Sequence, residues 1–367
     1  MKNNMKYLIS GGGTGGHIFP AVSIANALRE QDPDCEILFI GAQGRMEMKR
    51  VPDAGYKIIG LKVQGFDRQN LMRNIIVLWN LFWSMRKVRR IIKRFRPDVA
   101  IGVGGYASGA AMKVAERMGI PVLIQEQNSF AGVTNKMLAS RASCICVAYE
   151  GMERFFPKDK IVLTGNPVRQ NLFDAHIDRA EAFRYFGLQE GVPTLLVIGG
   201  SLGARTINES MLGGMDTLRK AGVQVIWQTG SFYYKQCTEA VPNPGEKIKI
   251  TEFVKRMDYA YAVADVVISR AGASSISELC LLGKAAILVP SPNVAEDHQT
   301  HNARALSDRG AAILITDADA VFHLVDTAVA LLSDDARRSS LSNEVLKLAL
   351  PDSANRIVAE IHKLAKH

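Results

Sequence analysis

Apolar residues in this chain fall in short unbroken runs, each closed by glycine or a polar turn and followed by helical spacing. Residues 7–10, 37–40, 99–103, 122–124, 194–198, 223–227, 266–269 and 286–290 form such runs, and 144–146 and 312–316 have the same strand-like character. Continuous apolar strands, as opposed to alternating ones, mark a parallel sheet covered by helices on both faces. The expected fold class is therefore α/β, with strands and helices alternating along the chain. Two runs end in similar glycine-rich elements, Gly11-Gly12-Gly13-Thr14-Gly15-Gly16-His17 and Gly199-Gly200-Ser201-Leu202-Gly203-Ala204, about half a chain apart. That duplication predicts two Rossmann-like domains with a cleft between them, 1–164 and 165–350, joined at the Thr-Gly-Asn-Pro punctuation near 163–167. An amphipathic stretch after Pro351 is expected to pack back on the first domain, so 351–367 is grouped with it.

Residues 71–96 carry a different pattern. Ile75, Leu78 or Trp79, Phe82 and Met85 recur at helical spacing, and Arg73, Arg86, Lys87, Arg89, Arg90, Lys93, Arg94 and Arg96 add eight positive charges with no acid among them. This segment accounts for most of the formal net charge of +9 and calls for a polyanionic partner. A buried core helix would explain the apolar spacing alone. Two tryptophans beside the cations point instead to an anionic membrane surface, where each Lys or Arg contributes about 1 kcal/mol. The expected contacts are Ile75, Trp79, Phe82, Trp83 and Arg86. Nucleic acid fits less well, because its bases call for stacking aromatics where this surface is largely aliphatic. Arg73, Asn74 and Asn80 interrupt the segment, and no run approaches the roughly 20 apolar residues that span a bilayer.

Composition narrows the class further. With 367 residues, 47% hydrophobic and 22% charged, the chain exceeds one ordinary core and has no disordered or fibrous bias. Five Cys without a C-x-x-C spacing argue against a disulfide framework or structural zinc and fit a reducing cytosol. The apolar run after the charged N-terminus is too short for a signal-peptide core.

The glycine loops carry the chemistry. Glycine lets backbone approach a ligand closely, and a helix N-terminus turns N–H groups toward an anion. The first loop satisfies G-x-G-x-x-G and leads into a helix expected near Ile18, with Pro20 in its first turn. A dinucleotide enzyme would also need an acid at the end of the second strand, and Ile40-Gly41-Ala42-Gln43 has none, Glu36 standing at its beginning. That weakens an NAD-dependent alternative. The second loop adds the Ser201 hydroxyl, and Gly102-Val103-Gly104-Gly105-Tyr106 forms a third turn. Ser275 and Glu278 have capping-box spacing, while Glu278 could equally hold a ribose. Asp317-Ala318-Asp319 imitates a metal-binding D-x-D but follows a strand, which favours a helix cap. His298 and His301 lack the companions of a zinc site.

Together, GGGTGGH at 11–17, GVGGYASG at 102–109, EQNSFAGVTNK at 126–136, GNPVR at 165–169, GGSLGAR at 199–205, TEFV at 251–254, RAGASSISE at 270–278 and EDHQTHNA at 296–303 resemble one family across essentially the whole chain. It is the MurG family of bacterial UDP-N-acetylglucosamine:lipid I N-acetylglucosaminyltransferases of peptidoglycan synthesis. The resemblance implies the GT-B fold, UDP-GlcNAc as donor bound mainly by the second domain, and lipid I as acceptor. It sets uracil near Phe253 and Val254, ribose on Glu278, and the diphosphate on Ser201, Arg169 and the Ala273, Ser274 and Ser275 turn. His298, Gln299 and Asn128 would meet the GlcNAc. Thr14, Gly15 and Gly16 join this donor set, while the first loop and Tyr106 meet the acceptor, whose polyprenyl chain lies in the bilayer. The implied location is peripheral, on the cytoplasmic face of the inner membrane, with cell-wall synthesis proteins as further partners.

The implied reaction is inverting attack of the acceptor C4 hydroxyl on the anomeric carbon as UDP departs. His17 is the expected base, having an ordinary pKa near neutrality, with Glu126 the alternative and Tyr106 the third catalytic candidate. Fixed donors and Arg169 can stabilise the departing diphosphate, so no cofactor or obligatory metal is expected at the chemical step.

Overall fold

The structure, a computed structural model, describes residues 4–65, 71–168, 172 and 177–366. It divides into two compact units, Met1–Val168 with Pro351–His367, and Arg169–Leu350. The first unit is built on β1 (Lys6–Ser10), β2 (Glu36–Ala42), β3 (Lys57–Leu61), β4 (Val99–Gly102), β5 (Val122–Glu126), β6 (Cys144–Val147) and β7 (Ile161–Leu163), in the order β3-β2-β1-β4-β5-β6-β7. The second holds β8 (Thr194–Ile198), β9 (Gln224–Gln228), β10 (Ile248–Thr251), β11 (Val266–Ser269), β12 (Ala286–Leu288) and β13 (Ile313–Leu314), ordered β10-β9-β8-β11-β12-β13. Every recorded strand pair is parallel, Tyr7 for instance lying between Ile37 and Val99. Helices connect the strands, so the central strands are covered on both faces and read as apolar runs.

Both strand orders reverse direction once, between β1 and β4 and between β8 and β11. At such a switch point the loops leaving the strand ends diverge and open a crevice for ligands. The two glycine-rich loops leave β1 and β8, while 103–105 and 270–272 leave β4 and β11, so all four sit at a switch point.

The helix Gly15–Gln31 buries Ile18, Ala21, Ile24, Ala25 and Leu28. It starts three residues before the position expected from sequence, because Thr14 is extended (φ −142°, ψ 160°) and the two following glycines already turn. Pro20 therefore sits in the second turn, where its missing N–H removes the bond that Gly16 O would otherwise accept. The helix Ser353–Ala365 packs on Gly15–Gln31 through Ala354, Ile357, Val358 and Ile361, one face at i, i+3, i+4 and i+7. Truncating one of its isoleucines to alanine costs about 2–5 kcal/mol by the usual cavity penalty.

The helix Leu71–Phe95 seats Val77, Ser84, Val88 and Ile92 inward. Ile75, Ile76, Leu78, Trp79, Phe82 and Trp83 are exposed, Trp79 to 62%. Phe82 and Trp83 meet edge to face at 5.9 Å, and the Arg86 guanidinium lies 4.8 Å from the Phe82 ring. The core-facing stripe is thus a different one from the stripe that dominates the sequence. Among the described residues no helix is long and apolar enough to cross a membrane. All five thiols are free and buried.

Candidate functional site

In the first unit, His17 stands in the first turn of Gly15–Gln31 with Nδ1 3.1 Å from Gly12 O and 3.4 Å from Thr14 Oγ1. A carbonyl only accepts, so the contact with Gly12 O calls for a protonated Nδ1, which in the neutral ring leaves the lone pair on Nε2. Gly104, at φ +100°, admits the ring: a Cβ there would stand 2.7 Å from His17 Cδ2 and Nε2. Gly105, at φ +89°, likewise lies against Gly12 O. Tyr106 follows directly, largely exposed at the head of helix Tyr106–Arg117.

Glu47, absent from the sequence-derived candidates, is fully buried behind this loop. Its Oε2 accepts from Gly13 N at 3.1 Å and its Oε1 from Ala42 N at 2.9 Å. The first loop was expected to offer its amides to an anion; the Gly13 amide is already taken by a carboxylate of the protein.

Glu126 ends β5 and is also buried. Oε1 accepts from Asn128 N at 3.1 Å and Asn128 Nδ2 at 3.2 Å, and Oε2 from Gly132 N at 3.0 Å and Asn135 Nδ2 at 2.9 Å. With both oxygens so engaged, the carboxylate binds the turn that carries Asn128.

In the second unit, Gly200 (φ +85°) and Gly203 (φ +94°) shape the loop after β8. Its carbonyls are tied down: Gly200 O accepts from Gln228 Nε2 at 3.1 Å, Ser201 O from Ser231 N at 3.1 Å and Leu202 O from Phe232 N at 3.3 Å. The other end of the buried Gln228 amide, Oε1, accepts from Val254 N at 2.9 Å. One side chain thus joins the loop carrying Ser201 to the segment of exposed Phe253 and buried Val254. Gln228 was missed in the sequence, although a polar residue closing the apolar run 223–227 is a readable signal.

Ala273, Ser274 and Ser275 form the first turn of helix Ala273–Leu282, whose N-cap is Gly272 with no side-chain cap bond. The capping box expected of Ser275 and Glu278 is not formed, because Ser275 is already inside the helix. Glu278, 5% exposed, instead accepts from Tyr261 OH at 3.0 Å. Asp317 and Asp319 do not act as the cap themselves: Thr316 caps Asp317–Leu332 by accepting from Asp319 N at 3.2 Å. Asp317 pairs with Arg270, which also donates to Val289 O and Pro290 O at 3.1 Å. Arg270 fastens the ends of β11 and β12 together, a role the sequence reading overlooked. Gln299 Oε1 accepts from Ser291 N at 2.9 Å, and His298 opens helix His298–Ser307. The preceding Glu296 and Asp297 are left-handed at φ 54° and 50°, a strained pair for residues with a Cβ. Arg169 lies outside the described residues. No group of three or more His, Cys, Asp or Glu side chains that could hold a metal gathers among the described residues.

Comparison with known proteins fits this frame. The profile of the glycosyltransferase family 28 N-terminal domain matches residues 7–147, and that of the family's C-terminal domain matches 194–357. A UDP-N-acetylglucosamine–N-acetylmuramyl-(pentapeptide) pyrophosphoryl-undecaprenol N-acetylglucosamine transferase of Bacteroides thetaiotaomicron is 58% identical, over 100% of this chain and 99% of its own. The protein of that name from Phocaeicola vulgatus is 59% identical, over 100% and 98%. The crystal structure of Acinetobacter baumannii MurG superposes with a TM-score of 0.78 at 28% identity, over 98% of this chain and 99% of that one. The chain belongs to glycosyltransferase family 28 and, within it, to the MurG family of N-acetylglucosamine transferases.

Proposed function

We propose that this chain transfers GlcNAc from UDP-GlcNAc to the C4 hydroxyl of MurNAc in lipid I, with inversion, to give lipid II. The observation that carries the donor assignment is the Gln228 amide, bonded at one end to Gly200 O and at the other to Val254 N. It fixes a phosphate loop relative to a base-binding segment, as recognition of a nucleoside diphosphate requires. Uracil lies against the backbone of Phe253 and Val254, Glu278 accepts from the ribose hydroxyls, and the diphosphate meets Ser201, Arg169 and the first-turn amides of Ala273, Ser274 and Ser275. His298, Gln299 and Asn128 contact the sugar.

His17 takes the proton of the attacking hydroxyl on Nε2, the nitrogen left basic by the Nδ1 bond to Gly12 O. Thr14, Gly15, Gly16 and Tyr106 line the approach of the reacting groups. Glu126, committed to four hydrogen bonds, holds Asn128 in position. Fixed amides and the Arg169 guanidinium stabilise the charge that develops on UDP, without reorganising as the bond breaks. The apolar and basic face around Trp79, Trp83 and Arg86 rests on the anionic cytoplasmic surface of the inner membrane, where the polyprenyl chain of lipid I resides.

The test is turnover with labelled UDP-GlcNAc and a short-chain lipid I analogue. Labelled disaccharide is the expected product. UDP-GlcNAc binding without any transfer would reduce the chain to a binding module.

A further inference from the structure

Glu47 is a buried carboxylate beside the loop that carries His17, and no step of the proposed reaction uses it. Its bond to the loop and the His17 bond fall on the same peptide group. The Gly12–Gly13 peptide donates its N–H to Glu47 Oε2 at 3.1 Å, and its carbonyl oxygen lies 3.1 Å from His17 Nδ1. We propose that Glu47 is a positioning residue that sets the tautomer and basicity of His17 through this peptide group. The inference rests on His17 as the proton acceptor for its catalytic meaning, but not for the relay itself.

A carboxylate pulling on one end of a peptide dipole leaves more negative charge on the oxygen at the other end. A more negative Gly12 oxygen is a better acceptor, so it favours the Nδ1–H tautomer and stabilises the imidazolium. Carboxylate–histidine pairs elsewhere achieve this by direct contact; here one peptide unit stands between them. The carboxylate is held on its far side by Ala42 N at 2.9 Å. Two glycines make room for it: a Cβ on Gly12 would overlap the carboxylate, and one on Gly41 would stand 2.6 Å from Glu47 Cγ. The Thr14 hydroxyl also approaches the ring, 3.4 Å from Nδ1, and Gly104 lies at its Nε2 side. Besides Glu47, the elements around the loop carry Lys49, Arg50 and Asp53 on helix Glu47–Asp53, Arg29 and Glu30 in the last turn of Gly15–Gln31, and Tyr106, Lys113, Glu116 and Arg117 on Tyr106–Arg117.

The experiment is a pH titration of the full chain with histidine-selective 15N labelling, the His17 signals being assigned with His17→Gln. In the unaltered chain, neutral His17 is expected as the Nδ1–H tautomer. Glu47→Gln, which removes the charge and keeps the shape, is expected to lower the His17 pKa by about one unit. The acid limb of the kcat profile should move down with it, while the affinity for UDP-GlcNAc stays unchanged. An Nε2–H tautomer in the unaltered chain would overturn the proposal, and so would an unchanged His17 pKa in folded Glu47→Gln. If that variant does not fold, the tautomer of the unaltered chain decides. Full activity of His17→Ala would remove the base assignment and leave the relay intact, so the two failures are distinguishable.

Discussion

Residues 11–16 and 199–204 each leave the first strand of a sheet at its switch point and open a helix, yet one is anchored by a carboxylate and the other by an amide. Glu47 takes the Gly13 N–H of the first loop, whereas Gln228 donates to the Gly200 carbonyl of the second. Anchoring through an N–H removes a donor and sets a negative charge nearby; anchoring through a carbonyl takes no donor from the loop. The difference teaches that a glycine-rich strand-to-helix turn is not in itself an anion site. The group behind the turn decides, and it lies far away in sequence.

The largest effect expected from disturbing this contrast is at His17. His17→Ala should lower kcat by about 10²–10⁴, the usual worth of a general base, with the affinity for UDP-GlcNAc unchanged. Steady-state kinetics beside a calorimetric titration would check both halves. Next comes Gln228→Glu, which gives the second loop the anchor of the first. A carboxylate there faces the Gly200 carbonyl and the diphosphate proposed to bind this loop, so UDP affinity should fall by about 10–100-fold, more than in Gln228→Leu. Equal losses in the two variants would show that shape and not charge separates the loops. Glu278→Gln should weaken UDP by about tenfold through the loss of a charged acceptor, measurable by the same titration, while His17 titrates as before.

The smallest effect concerns pH and again has opposite sign in the two units. Burial pushes the Lys284 ammonium down to about 8, with Arg179 adding to the shift, and Nζ donates to Ala264 O at 3.0 Å. The unfolded chain keeps that proton to about pH 10.4, so between the two values it binds more protons than the folded unit and stability rises with pH. Burial pushes the Tyr7 phenol in the first unit up to about 12. A raised acid contributes stability that is present below about pH 10 and lost as pH climbs toward 12. Hydrogen exchange followed from neutral to alkaline pH should therefore see the second unit firm up before the first loosens, and Lys284→Met should abolish the firming.

Much of the fold was legible because buried parallel strands must be apolar throughout, as Thr194–Ile198 and Val266–Ser269 are. The strands that escaped notice, Lys57–Leu61, Ile161–Leu163 and Ile248–Thr251, stand at sheet edges, where partial exposure admits lysine and shortens the run. The site was legible where backbone geometry demands glycine in sequence, at 11–16 and 199–204. It was illegible where a side chain acts across the fold. Nothing local marks Glu47, whose partners are Gly13 and Ala42, or Arg270, whose partner is Asp317. Glu278 shows the converse: its spacing from Ser275 suggested a local cap, and the fold gave it to Tyr261.

The most direct test of the contrast is hydrogen exchange at both glycine loops with and without UDP. Protection is expected over 199–205, 253–254 and 273–278, with residues 11–16 exchanging as before. Protection of 11–16 equal to that of 199–205, or none at 199–205, would contradict it.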